Sequence, residues 1–186
     1  MKRFTFWFIL LSVAFSMPVM AEGMDVPFYK IGPGDVLEIS VWQDERLNRQ
    51  VVVPPDGVIS YPLIGDIKVT DLTVADLRRI ITERLNDYVP DAIVTVMLVK
   101  INSLKAYVIG KVNRPGEFPI NLDTDVMQIL AMAGGLTPFA SSKKIIILRR
   151  EGDKIVKIPF NYDEVARGKN LEQNIILKRG DVVVVP

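Results

Sequence analysis

The 186-residue chain contains no cysteine and no histidine. Without histidine it lacks the commonest general base and the commonest metal ligand. Thiol catalysis, a Ser-His-Asp triad and a conventional zinc site are excluded together. Without cysteine no disulfide can staple the fold, and no lipid can be attached through an N-terminal cysteine, so stability must come from a packed core. An excess of one charge is missing too. Lysine and arginine number 23 against 22 acidic residues, a formal net charge of +1. A near-neutral chain carries no electrostatic footprint for nucleic acid and no polybasic patch for anionic lipid. Beyond the first 21 residues no apolar run approaches the roughly 20 residues a membrane-spanning helix needs.

What is present begins with a targeting pattern. Met1-Lys2-Arg3 is basic, Phe4 to Phe15 is almost entirely apolar, and Val19-Met20-Ala21 follows Pro18 with small or apolar residues where a signal peptidase reads. This pattern predicts a secretory signal over residues 1–21 and a mature chain starting near Glu22. The alternative is an uncleaved anchor helix, for which the apolar stretch is barely long enough. Lys2 and Arg3 would leave with the signal, taking the formal charge from +1 to −1. The remainder suits one or two small domains.

Those domains read as two α+β modules, 22–102 and 103–186. In the first, Ile31-Gly32-Pro33-Gly34-Asp35 is a turn that launches a strand over 36–42, where Leu37, Ile39 and Val41 alternate with Glu38 and Ser40. Further strands are expected over 51–53, 58–63 and 67–69, with Pro54-Pro55-Asp56-Gly57 turning between the first two of these. Thr73 and Asp76 form a capping-box pattern before a helix with Val74, Leu77, Ile80, Ile81 and Leu85 on one face. A β-branched run over 93–101 predicts a well-buried strand. In the second module, Tyr107-Val108-Ile109 stops at Gly110. Asn113-Arg114-Pro115-Gly116 then turns into a return strand over 117–120. A helix capped by Asp123 or Thr124 carries Val126, Ile129, Leu130 and Ala133 and ends at Gly134-Gly135. Strands over 145–149 and 155–160 flank the turn at Glu151-Gly152-Asp153, a helical turn is expected over 163–167, and Gly180-Asp181 opens the strand 182–185. Gly34-Asp35 and Gly180-Asp181 echo each other, each a Gly-Asp turn before an apolar strand, which shared turn chemistry explains.

No motif points to catalysis. Gly32-Pro33-Gly34 lacks a third glycine and precedes a strand, so it is no dinucleotide fingerprint. Asn121, Asp123 and Asp125 have the spacing that opens a calcium loop, but Val126 and Met132 stand where its glycine and bidentate acid belong. The acids Asp35, Asp56, Asp66, Asp153 and Asp181 sit beside turns and on polar faces, where turn stabilisation outranks a glycosidase pair. Trp42, Tyr61, Tyr107 and Phe118 are candidates for stacking on sugar rings, although strand aromatics more often pack in cores. Lys143-Lys144 and Arg149-Arg150 read as solvated basic pairs at strand edges.

Two sets of residues carry a family resemblance. Tyr29 to Leu37, Pro55-Asp56-Gly57 and Pro62-Leu63-Ile64-Gly65, then the helix from Thr73 and the strand after Pro90, resemble the polysaccharide export domain of Wza-like outer-membrane polysaccharide export proteins. Val108-Ile109-Gly110-Lys111-Val112 with Pro115-Gly116, then Ala133 to Thr137 and Arg179-Gly180-Asp181-Val182, resemble the soluble-ligand-binding β-grasp (SLBB) domain that follows it. The resemblance implies an α+β chain with a β-rich export domain before one β-grasp domain. It further implies transport of exopolysaccharide or capsule across the outer membrane, without catalysis or cofactor. It also implies a periplasmic homo-oligomer that works with an inner-membrane polysaccharide copolymerase. Gly34, Asp35, Asp56, Gly57, Gly110, Pro115, Gly116, Gly134, Gly135, Gly180 and Asp181 are then motif residues with structural roles.

The chain departs from the full-length pattern in having no lipidation cysteine, a single SLBB domain and no amphipathic helix after residue 185. The expectation is therefore an adaptor docked beneath a separate outer-membrane β-barrel. Two rivals stay open. One is a monomeric sugar-binding module of the periplasm or biofilm matrix, and the other is a carbohydrate-active enzyme.

Overall fold

The computed structural model describes residues 28–186, so the expected signal and its cleavage site lie outside the described residues. The order of elements is β1 (Val36–Val41), β2 (Arg49–Val52), β3 (Val58–Tyr61), β4 (Gly65–Lys68), α1 (Val74–Leu85) and β5 (Val94–Lys100), then β6 (Lys105–Gly110), β7 (Gly116–Pro119), α2 (Val126–Met132), β8 (Ile145–Glu151), β9 (Lys154–Phe160), α3 (Tyr162–Val165) and β10 (Val182–Val185). This is the mixed α+β architecture that the alternating patterns predict.

In the first module β1 is the centre of an antiparallel sheet ordered β2-β1-β5, and β3 and β4 form a separate hairpin. Leu37, Ile39 and Val41 turn inward beside Val94 and Val96 and meet Leu77, Ile81 and Leu85 of α1. Each fully buried Leu or Ile contributes about 1.5–3 kcal/mol. Helix α1 begins at the expected capping box. Thr73 Oγ1 accepts from the Asp76 amide at 3.1 Å, and Asp76 accepts from the Thr73 amide at 3.3 Å.

The second module has a five-stranded sheet ordered β7-β6-β10-β8-β9, in which β6 and β10 run parallel at the centre and the other pairs are antiparallel. Helix α2 packs Val126, Ile129 and Leu130 into a core with Ala106, Val108, Ile145, Ile147, Phe160, Val183 and Val185. A hairpin, a helix and a central parallel pair make this the β-grasp arrangement.

Three expectations need correction. The run 93–101 is not well buried. It forms β5, an edge strand covered on one side only, so Val94 and Val96 are inside while Ile93, Met97, Val99 and Ile101 face out. Helix α2 is capped by Asp125 rather than Asp123 or Thr124. Asp125 accepts from the Gln128 amide at 2.8 Å and the Gln128 side chain returns the bond, a reciprocal box that the earlier residues are too far upstream to make. Thr124 instead accepts from the Asn121 amide at 2.8 Å, so the calcium-like spacing is spent on a turn and a cap. Finally, Arg149 is not at a solvated edge but buried on the core side of β8, paired with Asp181.

Both modules leave a sheet face uncovered among the described residues, apolar in the second and mixed in the first. On the second, Tyr107, Ile109 and Ile155 are exposed and lie on the same face as half-buried Ile146, Leu148, Val182 and Val184. On the first, Ile93, Met97 and Val99 project outward among Glu38, Ser40, Gln50 and Thr95.

Candidate functional site

The two Gly-Asp turns are the same device used twice. Asp35 donates its amide to the Gly32 carbonyl at 3.2 Å, and its carboxylate accepts the Gly32 amide at 2.8 Å. Asp181 donates its amide to the Lys178 carbonyl at 3.1 Å and accepts the Lys178 amide at 2.8 Å. Gly34 and Gly180 hold the third position of each turn at φ +92° and +80°, the left-handed conformation a type II turn requires there. The echo in the sequence is therefore an echo in geometry.

Neither aspartate lies on a polar face. Asp35 is completely buried and Asp181 is 1% exposed. A buried carboxylate must be fully partnered, because stripping its water otherwise costs several kcal/mol (roughly 2–7 for even a neutral polar group). Asp35 meets this demand by reaching across to the residues that join the two modules. One carboxylate oxygen accepts from the Asn102 amide at 3.0 Å and the Ser103 amide at 2.9 Å. The other accepts from the Gly32 amide, from Ser103 Oγ at 3.0 Å and from the Tyr29 hydroxyl. Burial works to raise the Asp35 pKa, but the bonds from Tyr29, Gly32 and Ser103 outweigh it and hold it below the ordinary carboxylate value. The Tyr29 hydroxyl, desolvated and donating to Asp35, is pushed up to about 12. Asp35 thus fastens the segment that joins the modules to the turn that opens the first.

Asp181 anchors the second module. Arg149 approaches it with Nη2 at 2.7 Å and Nε at 3.1 and 3.2 Å from its two oxygens, and Arg149 Nη2 also donates to the Ile176 carbonyl at 2.9 Å. Both side chains are nearly inaccessible, at 10% and 1%. Strand alternation puts Arg149 on the core side of β8 and leaves its neighbour Arg150 outside. The basic pair in the sequence is thereby split into one structural ion pair and one free cation.

The two turns face each other. A Cβ added to Gly32 would fall 2.2 Å from Arg179 Nη1 and 2.6 Å from Ser103 Oγ. Arg179 donates Nη2 to the Lys30 carbonyl, while its Nε is buried without a hydrogen-bond partner. A cleft of about 520 Å³ opens beside this contact. Lys30, Arg150, Lys178 and Arg179 line it against a single acid, Asp71, and Phe28, Leu122 and Ile176 supply apolar walls. None of the four cations forms an ion pair among the described residues.

The remaining motif residues shape the chain. Asp56 accepts from the Val58 amide at 3.1 Å in its turn, and Gly57 lies against Thr70. Gly110 ends β6 where a Cβ would stand 1.9 Å from the Val185 carbonyl oxygen. Pro115 and Gly116 lead into β7, and Gly134 and Gly135 follow α2 at φ +77° and +80°. Of the candidate stacking aromatics, Tyr61 is buried, its hydroxyl donating to the Leu47 carbonyl at 2.7 Å. Phe118 is half-buried and Tyr107 lies on the outer sheet face. Trp42 is 71% exposed beside a groove of about 410 Å³ that also holds Asp44 and Glu45.

Two features are not visible in the sequence pattern. Arg150, Lys178 and Arg179 come together within the second module, and docking of the first adds Lys30. The near-neutral total also conceals a split that counting by module would have found. Residues 28–102 carry eight basic and eleven acidic side chains, and residues 103–186 carry thirteen and nine, giving −3 and +4.

Two family models match successive stretches of the chain. The family model described as polysaccharide biosynthesis/export protein matches residues 24–99, and the SLBB domain model matches residues 105–159. The polysialic acid transport protein KpsD of Escherichia coli is 27% identical over 161 residues, covering 86% of this chain and 28% of that protein. The EPS I polysaccharide export outer membrane protein EpsA of Ralstonia nicotianae is 28% identical over 182 residues, covering 84% and 47%. The capsule polysaccharide export outer membrane protein CtrA of Neisseria meningitidis serogroup A is 30% identical over 173 residues, covering 82% and 43%. The chain spans less than half the length of these relatives.

Proposed function

Because the chain belongs to the Wza-like polysaccharide export family, with an export domain followed by an SLBB domain, we propose that it serves exopolysaccharide or capsule export across the outer membrane as a periplasmic, non-catalytic component. The observation that carries this reading is the continuity of the match. Proteins named for polysaccharide transport and export align with both modules and the junction between them, not with one portable domain.

The working form is a homo-oligomer. The second module leaves an apolar sheet face uncovered among the described residues, and the modules carry opposite net charge. Opposite ends of one chain that attract each other favour a head-to-tail contact, and a head-to-tail contact that closes makes a ring. The assembly takes polymer from an inner-membrane copolymerase and passes it to a separate outer-membrane β-barrel. No helix among the described residues is long and apolar enough to cross a membrane. The modules 22–102 and 103–186 work as one unit because Asp35 and Arg179 tie them together. The motif residues from Gly34 to Asp181 serve this scaffold rather than a reaction.

Native mass spectrometry of the purified protein tests the assembly, with a closed oligomer expected and a monomer at all concentrations contradicting it. Planar-bilayer conductance tests the adaptor role. Stepwise channels are expected only when a β-barrel partner is added, and stable channels from this protein alone would contradict it.

A further inference from the structure

We infer that the cleft between the modules binds a carboxylate-bearing sugar unit of the exported polymer, an inference that rests on the export reading above. Four cations gathered at one cleft repel one another, and Asp71 offsets only one of them. Such clustering stands out in a chain whose total charge is +1. The ligand that relieves it is anionic. The walls narrow the choice further. Phe28 is 78% exposed and Ile176 52% exposed, so the cationic rim surrounds apolar surface rather than a purely polar basin. A sugar acid has both features, a C–H ring face that packs on Phe28 and Ile176 and a carboxylate that meets a charged fork.

Arg179 is the centre of the site. Its Nη2 is held by the Lys30 carbonyl, which fixes the guanidinium plane, and its charge has no acidic partner among the described residues. Lys178 and Arg150, both exposed, provide long, mobile point charges at the mouth. The volume of about 520 Å³ falls within the roughly 300–1,000 Å³ usual for small-ligand clefts. The cleft accordingly holds one or two residues of a longer chain and leaves the rest free to move on, as transit requires.

The test is calorimetric titration of the full chain with an oligogalacturonate of defined length, alongside a neutral maltooligosaccharide of equal length and inorganic sulfate. Oligogalacturonate should bind, and its affinity should fall as salt is raised, because exposed charges are screened beyond about 8 Å at physiological ionic strength. The double variant Arg150→Glu/Lys178→Glu, exposed at both positions and expected to melt like the wild type, should bind it at least about tenfold more weakly. Absence of oligogalacturonate binding, equal binding of the neutral oligomer, or unchanged affinity in the double variant would overturn the site. Sulfate binding as tightly as oligogalacturonate would also overturn it, because the walls would then recognise no sugar. So would loss of self-association in the double variant with oligogalacturonate binding intact, which would make the cleft a protein contact. The export reading fails on a different result, unaltered polymer release from cells lacking the protein, so the two failures are distinguishable.

Discussion

Replacing Asp35 with asparagine removes the charge but keeps the shape, and the geometry sets the cost. One carboxylate oxygen faces two backbone amides, those of Asn102 and Ser103, which cannot turn round. The other faces the Gly32 amide and the hydroxyls of Tyr29 and Ser103, which can. An asparagine will therefore keep its carbonyl on the first side and aim its NH2 at the hydroxyls, leaving the Gly32 amide without an acceptor. One orphaned buried donor, together with lost charge assistance, costs about 2–3 kcal/mol. For a chain of this size that lowers the melting temperature by roughly 4–12 °C. Alanine orphans all three amides and should cost about 3–6 kcal/mol, a large share of the roughly 5–15 kcal/mol by which a domain is stable. Tyr29→Phe is the control. It removes one donor and leaves four bonds on the carboxylate, for about 0.5–1.5 kcal/mol. The assay is a thermal melt of each purified variant across pH. Because the Asp35 pKa is depressed on folding, its contribution is fully present above the unfolded value of about 3.9 and is lost as pH falls through the lower folded value. The gap between wild type and Asp35→Asn should hold at neutral pH and close in that acid window. Asparagine and alanine variants melting within about 2 °C of wild type at pH 7 would refute the reasoning.

Three further outcomes are expected. Arg149→Ala leaves the Asp181 carboxylate buried without its cation and should destabilise the second module by about 3–5 kcal/mol, measured by urea unfolding. Gly110→Ala forces an unfavourable φ of +96° and sets a methyl 1.9 Å from the Val185 carbonyl oxygen. It should cost about 2–4 kcal/mol and loosen amide-exchange protection along β6 and β10. Asp125→Ala removes the reciprocal cap of α2 and should cost about 0.5–2 kcal/mol by thermal melt, whereas Asp123→Ala should change little.

The fold was legible where local chemistry repeats. The period of Leu37, Ile39 and Val41, the Thr73–Asp76 box and the Gly134-Gly135 stop each report a local backbone state, and each is visible in the neighbouring letters. Residue burial on β5 was not legible, because a β-branched run looks the same whether one face of its sheet is covered or both. Which aspartates lie inside was hidden for a similar reason. Asp35 and Asp56 both follow turn residues, but only Asp35 has the amides of Asn102 and Ser103 waiting some 68 residues away. Arg149 and Arg150 are adjacent letters with opposite fates, decided by which face of β8 each occupies. The cleft was the least legible of all, since Lys30 and Arg150 join the adjacent Lys178 and Arg179 from far upstream with no shared spacing.

The central claim is that polymer leaves the cell by way of this protein. Its most direct test is a pulse-chase in the producing bacterium, in which newly made polysaccharide is labelled while the protein is depleted and then resupplied. The account predicts that depletion strands labelled polymer in the periplasm, and that the wild-type protein releases it to the medium while Asp35→Ala does so poorly. Labelled polymer reaching the medium at an undiminished rate in depleted cells would contradict it.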